Sequence, residues 1–248
     1  MKIVNYFFFF KYIILILFAC SCNPKYYSPN SANVPLLVKE NDISLSGSVT
    51  TGENLKGGEL QLAYAIDSNY ALLLNAFKAT ADEDGGGQYY EIGYGNHKLE
   101  NNNSNFFMDL FLLAGIGSIT NERSEGKIKN QFYKIATQGN FGYSFKYLDI
   151  TLVAKFSYIK FLYYELNLNY NSQSYLYDDT EILKNKPYNI RLEPSIIIRA
   201  GSNNFKLYIQ ATQSNSLIWS KNNLKDDMQN IKPYVVPLIF NLGVLVSF

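Results

Sequence analysis

The chain offers few side chains for catalysis or metal binding. It has one histidine, His97, in the stretch GNHKLENNN, and two cysteines, Cys20 and Cys22, which both lie near the N-terminus. A cysteine–histidine nucleophile pair or a zinc site needs these residue types side by side in the fold. Both cysteines lie at the end of the N-terminal segment, so we expect no cysteine to be a partner of His97. A Ser-His-Asp arrangement would need His97 to meet a serine and an aspartate across the structure, so we expect His97 to be a solvated turn residue.

The acidic stretch DEDGGG at residues 82–87 is a second place to look for chemistry. It lacks the Asp-x-Asp-x-Asp-Gly spacing and the closing glutamate of a calcium loop. The segment GIGS at 115–118 is not followed by the lysine and hydroxyl residue of a phosphate loop. We therefore expect a solvated loop at 82–87, no metal, no cofactor and no enzymatic activity.

The first residues form a targeting segment. Lys2 and Lys11 make it basic, and the apolar run from Tyr12 to Ala19 is too short to span a bilayer, which needs about 20 residues. This pattern is typical of a secretory signal. The stretch from Asn23 to Lys39 carries three prolines and is expected to be extended. The predicted organisation is a signal over 1–19, an extended tether over 20–42 and one domain over 43–248.

The end of the signal, Leu17-Phe18-Ala19-Cys20, resembles the bacterial lipobox. The resemblance implies cleavage before Cys20 and acylation of its thiol and amine, with Cys22 as the alternative position. An ordinary secretory signal with two incidental cysteines stays open as the other interpretation.

Ten segments after residue 42 alternate apolar and polar residues with a period of two, which predicts β-strands. The segments are 43–50, 58–67, 70–79, 88–97, 105–118, 131–145, 148–169, 187–200, 204–214 and 234–248. Two architectures fit this pattern. A lipocalin-like soluble barrel or sandwich buries the apolar face and could bind an apolar ligand, whereas an outer-membrane barrel turns that face to lipid.

Loop and segment lengths favour the membrane barrel. The connections after segments two, six and eight are short, whereas those after three, five, seven and nine are long, an asymmetry typical of outer-membrane barrels. The connection after segment four is intermediate, and the one after segment one fits the long class weakly. Ten residues at a rise of about 3.4 Å, tilted by about 40°, climb roughly 26 Å, which matches an apolar band of about 25 Å. We predict an all-β, antiparallel up-and-down transmembrane barrel of about ten strands, with eight to twelve possible.

The last segment ends in NLGVLVSF. An alternating terminal strand that stops at phenylalanine resembles the C-terminal signature of bacterial outer-membrane proteins. The resemblance implies that the barrel-insertion machinery reads this strand, through Phe240, Leu242, Val244, Val246 and Phe248. A buried edge strand of a soluble barrel is the alternative.

Two further stretches, YYSPNSANVPLL and GGELQLAYAIDSNYALLLN, resemble the opening of an outer-membrane β-barrel lipoprotein family of Bacteroidota type. This resemblance covers roughly residues 26–76. It implies a barrel and a lipid anchor, and the activity of that family is generally unassigned.

Charged residues on the polar faces are the most informative polar set. They are Glu59, Glu91, Asp109, Lys134, Asp149, Lys155, Arg191, Glu193, Arg199 and Lys206. Because charges removed from water need partners, we expect a cluster centred on Lys155, Arg191, Glu193 and Arg199 to plug a narrow lumen. A small polar pore or ligand pocket is the alternative.

The expected function follows from these features. We expect a lipid-anchored barrel in the outer membrane of a Gram-negative cell with a structural or surface-interaction role. The alternatives are a narrow channel or carrier for small polar solutes and the soluble lipocalin-like barrel. Expected partners are membrane lipid and the insertion machinery; a net charge of +1 argues against nucleic acid, and we expect a monomer.

The lipobox generates a first prediction. Mass spectrometry of the mature N-terminal peptide should find Cys20 as the first residue, carrying acyl chains on its thiol and amine. An unmodified Cys20, or cleavage at another position, would reject the prediction.

Overall fold

The computed structural model describes residues 25–53, 55–81, 85–99, 105–123, 126–168, 187–219 and 234–248. Ten long strands form a closed barrel: β2 (Ile43–Gly52), β3 (Leu55–Ala65), β4 (Tyr70–Ala81), β5 (Gly85–Leu99), β6 (Phe106–Arg123), β7 (Gly126–Ser144), β8 (Leu148–Leu168), β9 (Tyr188–Gly201), β10 (Phe205–Gln213) and β13 (Leu238–Ser247). Three short strands complete the fold: β1 (Lys25–Tyr27), β11 (Asn215–Trp219) and β12 (Tyr234–Val235).

Antiparallel pairing runs around the whole barrel. Each strand from β2 to β9 pairs with the next, β10 pairs with both β9 and β13, and β13 pairs with β2. The strand β11 follows β10 in the chain and pairs with the same neighbour, β9. The ten predicted segments each overlap one barrel strand, so the predicted all-β, up-and-down, ten-strand barrel is confirmed.

The two faces of the wall differ sharply. Outward side chains such as Leu60, Ile116 and Leu242 are exposed at 64%, 65% and 59%, whereas the inward positions carry polar and charged groups that are buried. An apolar exterior around a polar interior is the arrangement of a transmembrane barrel. A lipocalin-like soluble barrel requires the opposite arrangement.

The outer face of β7 shows where the apolar belt ends. From the end near Ser144 it carries Phe141, Ile135 and Tyr133, and beyond Tyr133 it carries exposed polar and charged residues, Gln131, Lys129 and Lys127. The barrel wall therefore continues past the apolar belt on the side of the long connections. We call this side the long-loop end and the opposite side, with the turns at 66–69, 145–147 and 202–204, the short-turn end.

This extension corrects part of the predicted loop pattern. The connections after segments one, three and five were expected to be long loops, but most of their residues belong to β2–β3, β4–β5 and β6–β7. The reason is that strand pairing continues where the outward residues have become polar, so apolar alternation no longer marks the strand. The other two long connections lie largely outside the described residues, at 169–186 and 220–233.

Aromatic pairs mark both limits of the belt. At the short-turn end, the rings of Tyr70 and Tyr94 stack with centroids 5.6 Å apart, and Tyr143 lies 4.8 Å from Phe145. At the other limit, Tyr158 lies 6.1 Å from Tyr133 and 5.6 Å from Tyr188. Tyrosines at two levels are typical of the interfacial girdles of membrane proteins. Across the described ranges, no helix is long and apolar enough to cross a bilayer.

The position of the belt predicts where a charge is costly. Leu152 lies on the outer face of β8 between the two girdles, and Gln131 lies on the outer face of the neighbouring strand beyond the belt. Leu152→Arg should lower the free energy of unfolding by about 2–4 kcal/mol in lipid vesicles, whereas Gln131→Arg should cost about 0–1 kcal/mol. Urea titration of both variants measures this, and equal losses would contradict the assigned belt.

Candidate functional site in the barrel lumen

Residues 27–37, which we call the lumen segment, lie inside the barrel. Tyr27, Ser31 and Val34 are exposed by no more than 2%. The sequence led us to expect a tether over 20–42; the segment is extended, but its described part fills the lumen instead of linking the barrel to an anchor through water. Pro29 and Pro35 have no N–H group, so they reduce the number of buried donors that need partners.

Tyr27 joins two charged side chains of the wall. Lys134 Nζ of β7 donates to the Tyr27 hydroxyl at 2.8 Å, and that hydroxyl donates to Glu193 Oε1 of β9 at 2.7 Å. Lys134 and Glu193 also pair directly, with Nζ 3.2 Å from Oε2. The side chains of this pair are almost fully buried, so the ion pair and its hydrogen bonds form without bulk water.

Asn30 and Ser31 form hydrogen bonds with charged side chains of the wall. Asn30 donates to Glu91 at 3.3 Å and accepts from Lys134 at 3.0 Å. The backbone N–H of Ser31 donates to Glu59 Oε1 at 2.8 Å, and its hydroxyl donates to Oε2 of the same carboxylate. Both carboxylates thus accept bonds from the lumen segment, which partly offsets the cost of removing them from water.

Asn33 and Val34 hold the next part of the segment. Asn33 donates to Asn75 Oδ1 at 2.8 Å, and its carbonyl accepts from Gln138 at 2.8 Å. Arg199 Nη2 donates to the Val34 carbonyl at 2.6 Å. The contacts of the lumen segment come from β3, β4, β5, β7 and β9, so it is held from all around the wall.

The lumen is balanced in charge. All ten inward charges expected from the sequence are buried, and they comprise five carboxylates and five cations. Three ion pairs besides Lys134–Glu193 involve them: Lys155 with Glu91 at 3.7 Å, Lys134 with Glu91 at 4.0 Å, and Lys206 with Asp149.

The predicted cluster of Lys155, Arg191, Glu193 and Arg199 does not form one ring of ion pairs. Glu193 takes Lys134 as its partner, whereas Arg191 donates to the hydroxyl and carbonyl of Ser214, both at 2.8 Å. Arg199 binds the Val34 carbonyl. Alternation shows that a residue points inward, but it does not show which inward residues meet across the lumen, and Lys134 was not placed at the centre for that reason.

Apolar side chains close the lumen at both ends of the lumen segment. At the long-loop end, Phe132 lies 5.7 Å from the Tyr27 ring and 5.8 Å from the Tyr89 ring. Gly117 makes room for Phe132, because a Cβ at that position would overlap its ring. At the short-turn end, Leu37 joins a buried cluster that includes Phe111. The space left beside Tyr27 and Phe132 is about 30 Å³, enough for one or two waters.

His97 is not the solvated turn residue that we expected. It lies in β5, is buried, and its ring Nε2 is 3.1 Å from the Asp67 carbonyl. That contact anchors the β3–β4 turn, where the N–H groups of Asn69 and Tyr70 donate to the Asp67 carboxylate at 2.7 and 2.8 Å and hold its pKa below the usual range.

Other candidate residues are only partly described. Cys20, Cys22 and the carboxylates at 82–84 lie outside the described residues. Within the described ranges, no group of three His, Cys, Asp or Glu side chains is arranged to hold a metal ion.

The C-terminal strand closes the barrel. Phe240, Leu242, Val244 and Phe248 are exposed on its outer face, and Val246 is half-buried there. Phe248 exchanges backbone hydrogen bonds with Ile43 at 2.9 and 3.3 Å. The role of these five outer-face residues of the C-terminal strand as an assembly signal stays a prediction.

The chain resembles several solved structures at low sequence identity. The chain is similar to the KdgM porin (10% identity, 83% of this chain and 99% of that one, TM-score 0.38). It is also similar to the N-terminal β-barrel domain of Pseudomonas aeruginosa OprF (12%, 85% and 99%, TM-score 0.36) and to the translocator domain of the autotransporter NalP from Neisseria meningitidis (9%, 84% and 88%, TM-score 0.44). No protein-family model and no curated protein matches the chain. Because these three TM-scores are below 0.5, the fold assignment rests on the strand pairing.

The buried Lys134–Glu193 pair generates a stability prediction. Lys134→Met should lower the free energy of unfolding by about 3–5 kcal/mol, because Glu193 and Glu91 then lose a cation inside the lumen. Lys78→Met, which removes an exposed charge from the outer face of β4, should change it by about 0.5 kcal/mol or less.

A second substitution sharpens this test. Adding Glu193→Gln to Lys134→Met should recover part of the loss, because it removes the carboxylate left without its partner. Urea titration in detergent micelles measures all three variants. A loss for Lys134→Met equal to that of Lys78→Met would contradict the assigned pairing.

Proposed function

We propose that the protein is a lipid-anchored barrel of the bacterial outer membrane, closed by its own lumen segment, that presents its long-loop end at the cell surface. The observation that carries this proposal is the burial of residues 27–37 inside the barrel. The role is structural or interactive and not enzymatic.

The outer-membrane location is supported by the apolar belt and by the lipobox-like residues 17–20. Closed barrels with an apolar exterior are the β-structures that can span a membrane, because they leave no backbone group unpaired in lipid. The lipobox-like residues before Cys20 fit export to that membrane. Within the apolar belt, the closed circle of described strands offers no free edge to a partner, which supports a monomer.

A closed lumen is supported by its packing. Ion conduction needs a continuous path of water, whereas the middle of this lumen is occupied by buried side chains of Tyr27, Asn30, Lys134, Lys155 and Glu193. Display at the surface is supported by the wall beyond the apolar belt, which carries polar residues such as Lys129 on its outer side.

A gated narrow channel is the second candidate. Several buried polar atoms lack a hydrogen-bond partner among the described residues. They include Arg199 Nε and Nη1, Thr151 Oγ1 and Gln138 Oε1. Such atoms suit a water-lined passage once the segment is displaced. The lumen segment would then act as a gate.

Single-channel recording in planar bilayers tests the closed lumen. The wild-type protein should show no steady current, and a variant lacking residues 25–37 should conduct small ions through a lumen lined by ten charges. The triple variant Tyr27→Ala, Asn30→Ala and Asn33→Ala keeps the chain length and should show frequent openings. Heat-dependent mobility on gels reports whether each variant folds.

The matched control changes three exposed residues just after the lumen segment: Val38→Ala, Lys39→Ala and Glu40→Ala. This variant should stay closed, because these side chains lie outside the lumen packing. Steady wild-type conductance that the deletion leaves unchanged would show an open pore and would reverse the order of the two candidates.

A further inference from the structure

The lumen segment crosses the barrel in one direction. At the long-loop end, β1 runs parallel to β12, and Val236 N donates to the Tyr27 carbonyl at 3.0 Å. Ile239, shortly after Val236, pairs with Gly52, the last residue of β2. The segment therefore begins near the turn of the β2–β3 hairpin, at the long-loop end.

The other end of the segment lies at the short turns. Asn41 N donates to the carbonyl of Ala65, the last residue of β3, at 3.0 Å. Ile43 then starts β2 beside Phe248. The chain thus enters the lumen at the long-loop end, leaves it at the short-turn end and turns back into the wall, so Lys25 and Phe248 lie at opposite ends of the barrel.

This direction fixes the side of the membrane on which the N-terminal end emerges. In outer-membrane barrels the short turns face the periplasm and the long loops face the outside. We propose that the chain before Lys25 leaves the barrel on the cell surface and that the acyl chains on Cys20 insert into the outer leaflet. This inference rests on the proposed outer-membrane, lipid-anchored function.

Chain length excludes the opposite leaflet. The five residues from Cys20 to Lys25 reach about 17 Å at most when fully extended. The apolar belt of an outer-membrane barrel is about 25 Å tall, so the two membrane surfaces lie about that far apart. The lumen is already filled by residues 27–37, so no second passage through the barrel is open to the N-terminal end.

The same geometry constrains assembly. Acyl chains cannot pass through a lumen whose cross-section is occupied by the buried side chains of Tyr27, Lys134 and Glu193. The wall therefore has to close around the segment. The closing strand is β13, which pairs with β2 and β10, and the segment contacts β3, β4 and β5 before β13 takes its place. The acylated end then stays outside the closing barrel on the side of the long loops.

Labelling of single cysteines in intact cells with a membrane-impermeant maleimide tests the inference. The starting variant is Cys22→Ser, in which Cys20 is blocked by acylation and should not react. Lys25→Cys tests the N-terminal end, Lys127→Cys marks the long-loop end, and Asn203→Cys marks an exposed short turn. Lys25→Cys and Lys127→Cys should react in intact cells, and Asn203→Cys only after permeabilisation.

The outcomes separate the inference from the proposed function. Reaction of Lys25→Cys only after permeabilisation, while Lys127→Cys reacts in intact cells, would overturn the inference and leave the barrel orientation intact. Reaction of Asn203→Cys but not Lys127→Cys in intact cells would instead overturn the orientation in the proposed function. Reaction of the Cys22→Ser variant itself would show a free Cys20 and would reject the anchor.

A second measurement covers the case in which Lys25→Cys reacts under neither condition. A short haemagglutinin epitope inserted between Pro24 and Lys25 should bind its antibody on intact cells. Antibody binding only after permeabilisation would overturn the inference. The same epitope inserted between Ser202 and Asn203 should bind only after permeabilisation and serves as the matched control.

Discussion

Ten charged side chains inside a lumen without bulk water have to find partners within the protein, and the rest of the interior depends on how they do so. A single buried charge left without a partner costs several kcal/mol. The wall meets this requirement only in part, through pairs such as Lys134–Glu193 and Lys155–Glu91. The lumen segment supplies further donors and acceptors, most clearly at Glu59, whose carboxylate accepts hydrogen bonds from the backbone N–H and the hydroxyl of Ser31.

The width of the barrel explains why a segment of chain is needed at all. About eight strands enclose an interior that their own side chains fill. Ten strands enclose a wider one, and small inward residues such as Ser157 widen it further. One extended stretch of backbone takes up the extra space. Wall and segment therefore depend on each other, since the wall without the segment would hold unpaired charges around an open space.

Much of this fold could be predicted from residue types alone. A period of two located all ten barrel strands and assigned ten charges to the interior, because each strand has a lipid face and a lumen face. Strand ends were less predictable. The outer face changes from Tyr133 to Gln131 and Lys129 where the wall leaves the belt, and a polar outer face above a polar inner face no longer alternates. For this reason, the loops predicted after segments one, three and five are mostly the long-loop ends of strands.

The site was harder to predict than the wall. Prolines, asparagines and serines over 27–37 are typical of a linker in water, and the same residues suit a buried segment without secondary structure. Pro29 and Pro35 bring fewer donors, and Asn30 and Asn33 use their amides to meet wall side chains. Composition cannot separate these two settings, because both need backbone that is not paired in a sheet. The distinguishing signal lies in the wall, where ten inward charges in a narrow barrel require more polar partners than the strands provide to one another.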